Sequence, residues 1–126
     1  MTEKQIHQAI LEYLRRCMRK GVFVTTIEMG TKTASERKRF ARAGAVFGFP
    51  DILFIYEGRA YCFEVKTPKG PIQQNQIDCM RELSKAGALA TVVRCVEDVY
   101  HALCDFGLYP HSVPIGTKRR YAEAAA

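Results

Sequence analysis

The sequence is marked first by what it lacks. It contains no tryptophan, and its apolar runs are all shorter than the ~20 residues that a membrane-spanning helix needs. The missing tryptophan, together with the lack of clustered aromatic residues, argues against a stacking platform for single-stranded nucleic acid. No apolar segment follows Thr2, Glu3 and Lys4 at the N-terminus. We therefore expect no signal peptide, no membrane partner and a cytoplasmic location.

The cysteines give no sign of a disulfide framework or a zinc site. There are five of them, an odd number, and no pair has C-x-x-C spacing: Cys17, Cys62, Cys79, Cys95 and Cys104. The three histidines, His7, His101 and His111, are not clustered with them. We expect reduced and mostly buried thiols.

Positive charge is in excess, and much of it is concentrated in one segment. The net charge is +6 and the pI is about 9.2. Positions 32 to 42 contain one acidic residue, Glu36, and five basic residues: Lys32, Arg37, Lys38, Arg39 and Arg42. The C-terminal part adds Lys118, Arg119 and Arg120. Such clustering favours a polyanionic partner more than the total charge does.

Hydrophobic periodicity predicts most of the helices and strands. Residues 2–20 form an amphipathic helix in this interpretation, with a Thr2–Gln5 capping box, and Gly21 ends it. A strand follows at 22–27, and residues 51–66 read as a β-hairpin that turns at Glu57-Gly58. Helix 72–86, strand 90–96 and helix 97–106 complete the pattern, while residues 35–43 fit a short basic helix or a mobile loop equally well.

The order of these elements predicts an α/β fold with one mixed sheet flanked by helices. The chain is turn-rich and basic after Gly107, so we expect a domain at 1–107 and a basic tail at 108–126, whose last alanines fray.

Charged residues are expected to meet at one end of the hairpin. Glu64 and Lys66 lie two apart on a strand, so they project from one face, and the hairpin brings Asp51 beside them. Two adjacent carboxylates repel each other, and Mg²⁺ would remove that cost. The main-chain carbonyl of Val65 is a third candidate ligand, and Lys66 would orient or help to deprotonate an attacking water. The competing interpretation of Glu64 and Lys66 is a solvated surface ion pair.

Several segments together carry a family resemblance. Pro50-Asp51, twelve residues and then Glu64-Val65-Lys66 resemble the PD-(D/E)-x-K nuclease superfamily. The finer pattern is similar to the VRR-NUC branch of that superfamily. The segments that carry this similarity are Gly48-Phe49-Pro50-Asp51, Phe63-Glu64-Val65-Lys66-Thr67-Pro68, Gln76 and Val92 to Val99. The resemblance covers roughly residues 2–105.

This resemblance implies a restriction-endonuclease-like fold and a Mg²⁺- or Mn²⁺-dependent endonuclease that acts on DNA. It implies Asp51 and Glu64 as metal ligands, Lys66 as the catalytic lysine and Gln76 at the active site. The superfamily usually adds a glutamate from the first helix. Glu3 and Glu12 are the candidates, and the Thr-Glu-Lys-Gln-Ile opening favours Glu3. Nine residues separate them, about half a turn around the helix, so both cannot face the site. His7 follows Glu3 by one turn and is either near the site or exposed.

Stand-alone proteins of this branch, from phages and bacteria, resemble Holliday-junction resolvases and tend to form homodimers. That implies a bacterial or phage-infected host cell and branched DNA as a partner. We expect Lys32, Arg37, Lys38, Arg39 and Arg42 to bind DNA phosphates, against the alternative of a solvated helix face. Two other functions stay open: a catalytically silent DNA-binding module, and a nuclease for flapped, linear or specific-sequence DNA. RNA also stays open as a substrate.

Overall fold

The computed structural model describes residues 1–18, 22–30 and 32–121. Helices and strands alternate along this part of the chain in the order α1 (Glu3–Cys17), β1 (Phe23–Thr26), α2 (Ala34–Arg42), β2 (Ile52–Tyr56), β3 (Arg59–Val65), α3 (Gln74–Lys85), β4 (Leu89–Val93) and α4 (Val96–Asp105). The segment at 35–43, for which the sequence allowed either a helix or a loop, is therefore helical.

The four strands form one mixed sheet in the order β1-β2-β3-β4. β1 and β3 both run antiparallel to β2, whereas β4 is parallel to β3. The hairpin turns at Glu57 and Gly58, which both have left-handed backbone angles (φ 48° and 77°), as a tight two-residue turn requires. The predicted α/β fold with a mixed sheet and flanking helices is confirmed.

Helix α1 begins as its capping sequence predicts. Thr2 Oγ1 accepts from the backbone N–H of Gln5, and Gln5 Oε1 accepts from that of Thr2. The helix ends at Cys17 with Met18 as its C-cap, so the prediction that it reaches Lys20 was too long. Arg19, Lys20 and the predicted stop at Gly21 lie outside the described residues.

The sheet separates two layers of helices. Helices α1 and α4 cover one face, where their apolar side chains share a core with strand residues such as Phe54, Phe63 and Val65. The other face of β3 lies under α3, from which Gln76 reaches Glu64. Burial on both faces explains why β3 is almost continuously buried from Tyr61 onward.

The segment that follows α4 lies against two of the helices. Residues 108–121 contact α1 and α4: Tyr13 Oη donates to the Ser112 carbonyl at 2.6 Å, and Arg120 N donates to Tyr100 Oη at 2.9 Å. The predicted division of the chain at residue 107 stays a prediction, and residues 122–126 lie outside the described part.

All five cysteines are free, with three buried and two half-buried, as expected. No helix in the described residues is long and apolar enough to cross a membrane.

Candidate active site

The C-terminal half of β3 alternates between two buried environments. Phe63 and Val65 point into the apolar core, whereas Glu64 and Lys66 share the opposite face, as the sequence predicts. The two charged residues are nevertheless almost inaccessible, at 2% exposure for Glu64 and 8% for Lys66. A solvated surface ion pair, the competing interpretation, is therefore wrong, because charged side chains are rarely buried without a specific reason.

Asp51 is fixed at the end of β3 by two hydrogen bonds. It comes directly before β2, next to the pair formed by Ile52 and Phe63. Its Oδ2 accepts from the backbone N–H of Val65 at 2.8 Å, and its own carbonyl accepts from the N–H of Ile27 at 2.8 Å. The hairpin thus brings the Asp51 carboxylate to the Glu64-Val65-Lys66 segment.

The Glu64 carboxylate is held through one oxygen only. Its Oε1 accepts from Gln76 Nε2 at 3.0 Å, and Lys66 Nζ lies 3.7 Å from the same oxygen. Its Oε2 is buried and has no hydrogen-bond partner among the described residues. A buried polar atom without a partner costs about 1–3 kcal/mol, so an ion or a water bound to this oxygen would lower the free energy of the folded protein.

The pKa of Glu64 is raised to about 8, and burial is the largest cause. The neighbouring Asp51 carboxylate contributes to this rise, and so, to a smaller extent, does Glu3, whereas the Lys66 ammonium lowers the pKa. Desolvation and the adjacent negative charges act in the same direction, since both disfavour the ionised carboxylate. A divalent cation bound here would reverse the balance.

Both the nitrogen and the oxygen of the Gln76 side-chain amide make hydrogen bonds. Its Nε2 donates to Glu64, while its Oε1 accepts from the backbone N–H of Gln73 at 2.9 Å, at the start of α3. The second bond orients the amide so that its N–H₂ group points to the carboxylate. The structure thus brings the Gln76 amide to the Glu64 carboxylate, and its part in an active site stays a prediction.

A cleft of about 690 Å³ opens beside Asp51, between α1 and the end of β1. Glu3 and His7 from α1 line it together with Asp51, whereas Glu12 is not among its lining residues. His7 is half-buried, and its Nε2 lies 3.1 Å from Thr26 Oγ1. Of the two candidate glutamates in α1, Glu3 is the one brought to the site.

Two cleft residues, Thr26 and Glu28, were missed by sequence reasoning. Thr26 is the last residue of β1 and Glu28 lies two residues beyond it, and the local pattern signals only a strand and its end. Nothing in it says that the end of β1 lies beside Asp51, because that neighbourhood depends on the pairing of β1 with β2.

The residues at the site fit a hard divalent cation better than zinc. No three Asp, Glu, His or Cys side chains of the described residues form a ready-made metal cluster. Mg²⁺ does not need one, because it usually takes one or two protein carboxylates and keeps several waters. Asp51 and the unpartnered Glu64 Oε2 supply two oxygens of that kind.

The basic helix α2 stands apart from the sheet. It contains no buried residue, and it approaches no other helix or strand of the described chain. Some cations of this segment lie over aromatic rings. Nζ of Lys32, which precedes the helix, is 4.6 Å from the Phe40 ring centre, and the guanidinium of Arg37, within the helix, is 4.2 Å from that of Phe47. Lys38, Arg39 and Arg42 fall within about 100° of one another on the helix, on its exposed side.

Gly48 connects this helix to the candidate site. Its φ is +86°, and a Cβ at this position would lie 2.6 Å from the Asn75 carbonyl oxygen and 3.0 Å from the Gln76 nitrogen. The chain between α2 and Asp51 therefore packs directly against the first turn of α3. Only glycine combines the left-handed backbone with such a close approach.

Comparison with known proteins identifies the fold class. The order and pairing of the strands and the flanking helices define a restriction-endonuclease-like α/β fold. More particularly, a solved structure described as a VRR_NUC domain protein matches with a TM-score of 0.68, over 84% of this chain and 88% of that chain. Its sequence identity is 18%, so the likeness concerns the fold. No protein-family model and no curated protein sequence matches the chain. The resemblance to VRR-NUC domains is confirmed at the level of the fold.

Proposed function

We propose that the protein is a metal-dependent, structure-selective DNA endonuclease, similar in action to Holliday-junction resolvases. The observation that carries this proposal is the buried Glu64 carboxylate, which has one oxygen without a partner and lies beside Asp51 and Lys66. A stable domain does not need such an arrangement, which lowers its stability unless a ligand is bound.

The metal ligands in this proposal are Asp51, Glu64 and the main-chain carbonyl of Val65, with Glu3 completing the site from α1. Mg²⁺ and Mn²⁺ both suit oxygen ligands of this kind. When bound, the ion would polarise the scissile phosphate and lower the pKa of a coordinated water.

The protein groups then have separate tasks. Lys66 stabilises negative charge on the phosphate and orients the attacking water, from a position 3.7 Å from Glu64 Oε1. Gln76 fixes the orientation of the Glu64 carboxylate, so that Oε2 is free to bind the ion. Glu64 itself must be ionised to act, although burial favours its protonated form without a metal.

DNA would be held by the basic residues around α2. Lys32, Arg37, Lys38, Arg39 and Arg42 bind the phosphate backbone in this proposal, next to the chain segment that leads to Asp51. Contacts of this kind position DNA without reading its sequence. A homodimer would present two such sites to opposed strands of a four-way junction.

Cleavage of labelled DNA tests the proposal. The substrates are a four-way junction, a flap and a linear duplex, each incubated with Mg²⁺, with Mn²⁺ or with EDTA. Wild type is compared with Lys66→Ala and with Lys69→Ala, a matched control because Lys69 is an exposed lysine three residues further on. We expect metal-dependent junction cleavage that only Lys66→Ala abolishes.

The other outcomes separate the alternatives. Equal cleavage of all three substrates would keep the nuclease and remove the structure selectivity. DNA binding without cleavage of any substrate would favour a catalytically silent binding module. Melting temperature measured with and without Mn²⁺ gives a second readout, because a bound ion should stabilise wild type but not Asp51→Asn.

A further inference from the structure

The guanidinium group of Arg94 lies against the turn that follows Lys66. Its Nη1 donates to the carbonyl oxygens of Thr67 at 2.6 Å and Gly70 at 2.9 Å, with the Pro68 carbonyl at 3.3 Å. The turn is closed by a hydrogen bond from Gly70 N to the Thr67 carbonyl at 3.0 Å. Three carbonyl oxygens thus converge on one cationic donor.

The backbone next to Arg94 makes a direct hydrogen bond with Lys66. The N–H of Lys66 donates to the carbonyl of Val93, the residue before Arg94, at 3.0 Å. The backbone N–H of Arg94 donates in turn to Asp98 Oδ2 at 2.9 Å, which anchors this position to the first turn of α4. Val93 and Arg94, at the junction of β4 and α4, therefore make hydrogen bonds both to Lys66 and to the turn that follows it.

This turn also lies on the stretch of chain that connects two parts of the candidate site. It leads from Lys66 at the end of β3 to α3, whose first turn carries Gln76. A small displacement of the turn would move the Lys66 ammonium and the Gln76 amide relative to the Glu64 carboxylate.

We propose that Arg94 is a positioning residue for the hydrolysis, which holds the turn at 67–70 so that Lys66 and Gln76 keep their places around Glu64. The inference rests on the proposed nuclease function. Hydrogen bonds from a charged donor are about twice as strong as those between neutral groups. Arg94 Nη1 supplies such bonds to three carbonyl oxygens of the turn, two of them in part-buried positions. Lysine cannot reproduce the planar geometry of the guanidinium.

The test compares Arg94→Ala and Arg94→Lys with Arg59→Ala in junction cleavage. Arg59 is a matched control, because its Nε also donates to a loop carbonyl, that of Gly87 at 3.1 Å, but from the opposite end of β3. We expect kcat to fall about 10- to 100-fold in Arg94→Ala, the scale of a misplacement by about 1 Å. KM and the affinity for DNA should stay within about twofold of wild type, since Arg94 contacts the turn and not the substrate.

Added methylguanidinium should restore part of the activity of Arg94→Ala and none of that of Lys66→Ala. Arg94→Lys should stay impaired despite its charge, and Arg59→Ala should cleave like wild type. A normal kcat in Arg94→Ala would overturn the proposal. So would a variant whose loss lies in KM and DNA affinity, because Arg94 would then be a DNA contact.

Amide hydrogen exchange separates this inference from the nuclease proposal. The amides of Lys66 and Gly70 should exchange faster in Arg94→Ala than in wild type, while those of β2 are unchanged. Equal exchange of the Lys66 and Gly70 amides in the two proteins would show that Arg94 does not hold the turn and would overturn the inference. Failure of wild type to cleave any substrate would instead refute the nuclease function and, with it, the part of Arg94 in hydrolysis.

Discussion

Gln76 Nε2 donates to Glu64 Oε1 at 3.0 Å, and this bond joins α3 to the buried carboxylate of β3. The same amide accepts from the backbone of Gln73, so it cannot rotate without losing both contacts. The bond occupies one carboxylate oxygen and leaves the other without a partner. Gln76 thereby decides which oxygen of Glu64 faces the proposed metal position.

Replacement of Gln76 by alanine should lower kcat by about tenfold or more, because Glu64 loses the donor that orients it. The free energy of unfolding should change by only about 1–2 kcal/mol, the range expected for losing hydrogen bonds of this kind. Gln74→Ala is the control, since Gln74 starts the same helix and its amide donates to the exposed Asp78 at 2.8 Å. Equal effects of the two substitutions on kcat would contradict the orienting role.

The raised pKa of Glu64 makes a prediction about stability without metal. Its pKa is about 8 in the folded protein and near 4.3 in an unfolded chain, so between these values the folded state binds more protons. Stability therefore falls as pH rises from about 4.5 to 8, and this group opposes folding most strongly above pH 8. Glu64→Gln should accordingly melt at a clearly higher temperature than wild type at pH 8, and at nearly the same temperature as wild type at pH 5.

Thermal denaturation in EDTA at the two pH values measures this difference. Glu57→Gln is the control, since Glu57 is exposed in the hairpin turn at the other end of β2 and β3. A wild type with the same pH dependence of melting as Glu64→Gln would show that folding does not raise the pKa of this carboxyl.

The exposed side of α2 should govern the salt dependence of DNA binding. A variant with Lys38, Arg39 and Arg42 all changed to alanine should lose affinity for every DNA tested. Its slope of log K against log salt should be shallower by about 2–3, since each phosphate contact contributes about 0.9. The melting temperature should change little, because α2 contributes no buried residue within the described chain.

Fluorescence anisotropy across a salt series provides the measurement. Lys85→Ala, in the last turn of α3, removes a positive charge from another helix and should leave the slope unchanged. An unchanged slope in the triple variant would place the DNA on a different surface.

Gly48 offers a way to test the contact between the loop before Asp51 and α3. Gly48→Ala should destabilise the protein by about 1–3 kcal/mol and also lower kcat, because the new Cβ would lie 2.6 Å from the Asn75 carbonyl oxygen. Gly44→Ala separates the two causes. Gly44 has a similar positive φ of +95°, but no atom lies within 4 Å of an added Cβ.

Chemical denaturation and cleavage assays on both variants give the comparison. Backbone strain alone should affect both alike, whereas the steric clash should affect only Gly48→Ala. Equal losses of stability and activity would mean that the approach to Asn75 is unimportant for the site.

The sequence by itself determined the features that depend on local periodicity and on motif spacing. Alternation along β3 placed Glu64 and Lys66 on one face, and the hairpin turn at Glu57-Gly58 placed Asp51 beside them. Capping residues marked the start of α1, although its end at Cys17 came earlier than predicted. These features follow from contacts between residues that are close in the chain or directly paired in a hairpin.

Only the tertiary structure decided how strongly the site is buried, which glutamate of α1 approaches it and what Arg94 holds. Glu3 and Glu12 are equally compatible with an amphipathic helix, and only the packing of α1 brings Glu3 to the cleft beside Asp51. The Arg94 contacts span 24 to 27 residues of sequence and depend on β4 lying parallel to β3. Local sequence patterns do not predict contacts between residues this far apart in the chain. Such contacts form only when the whole sheet packs between its two layers of helices.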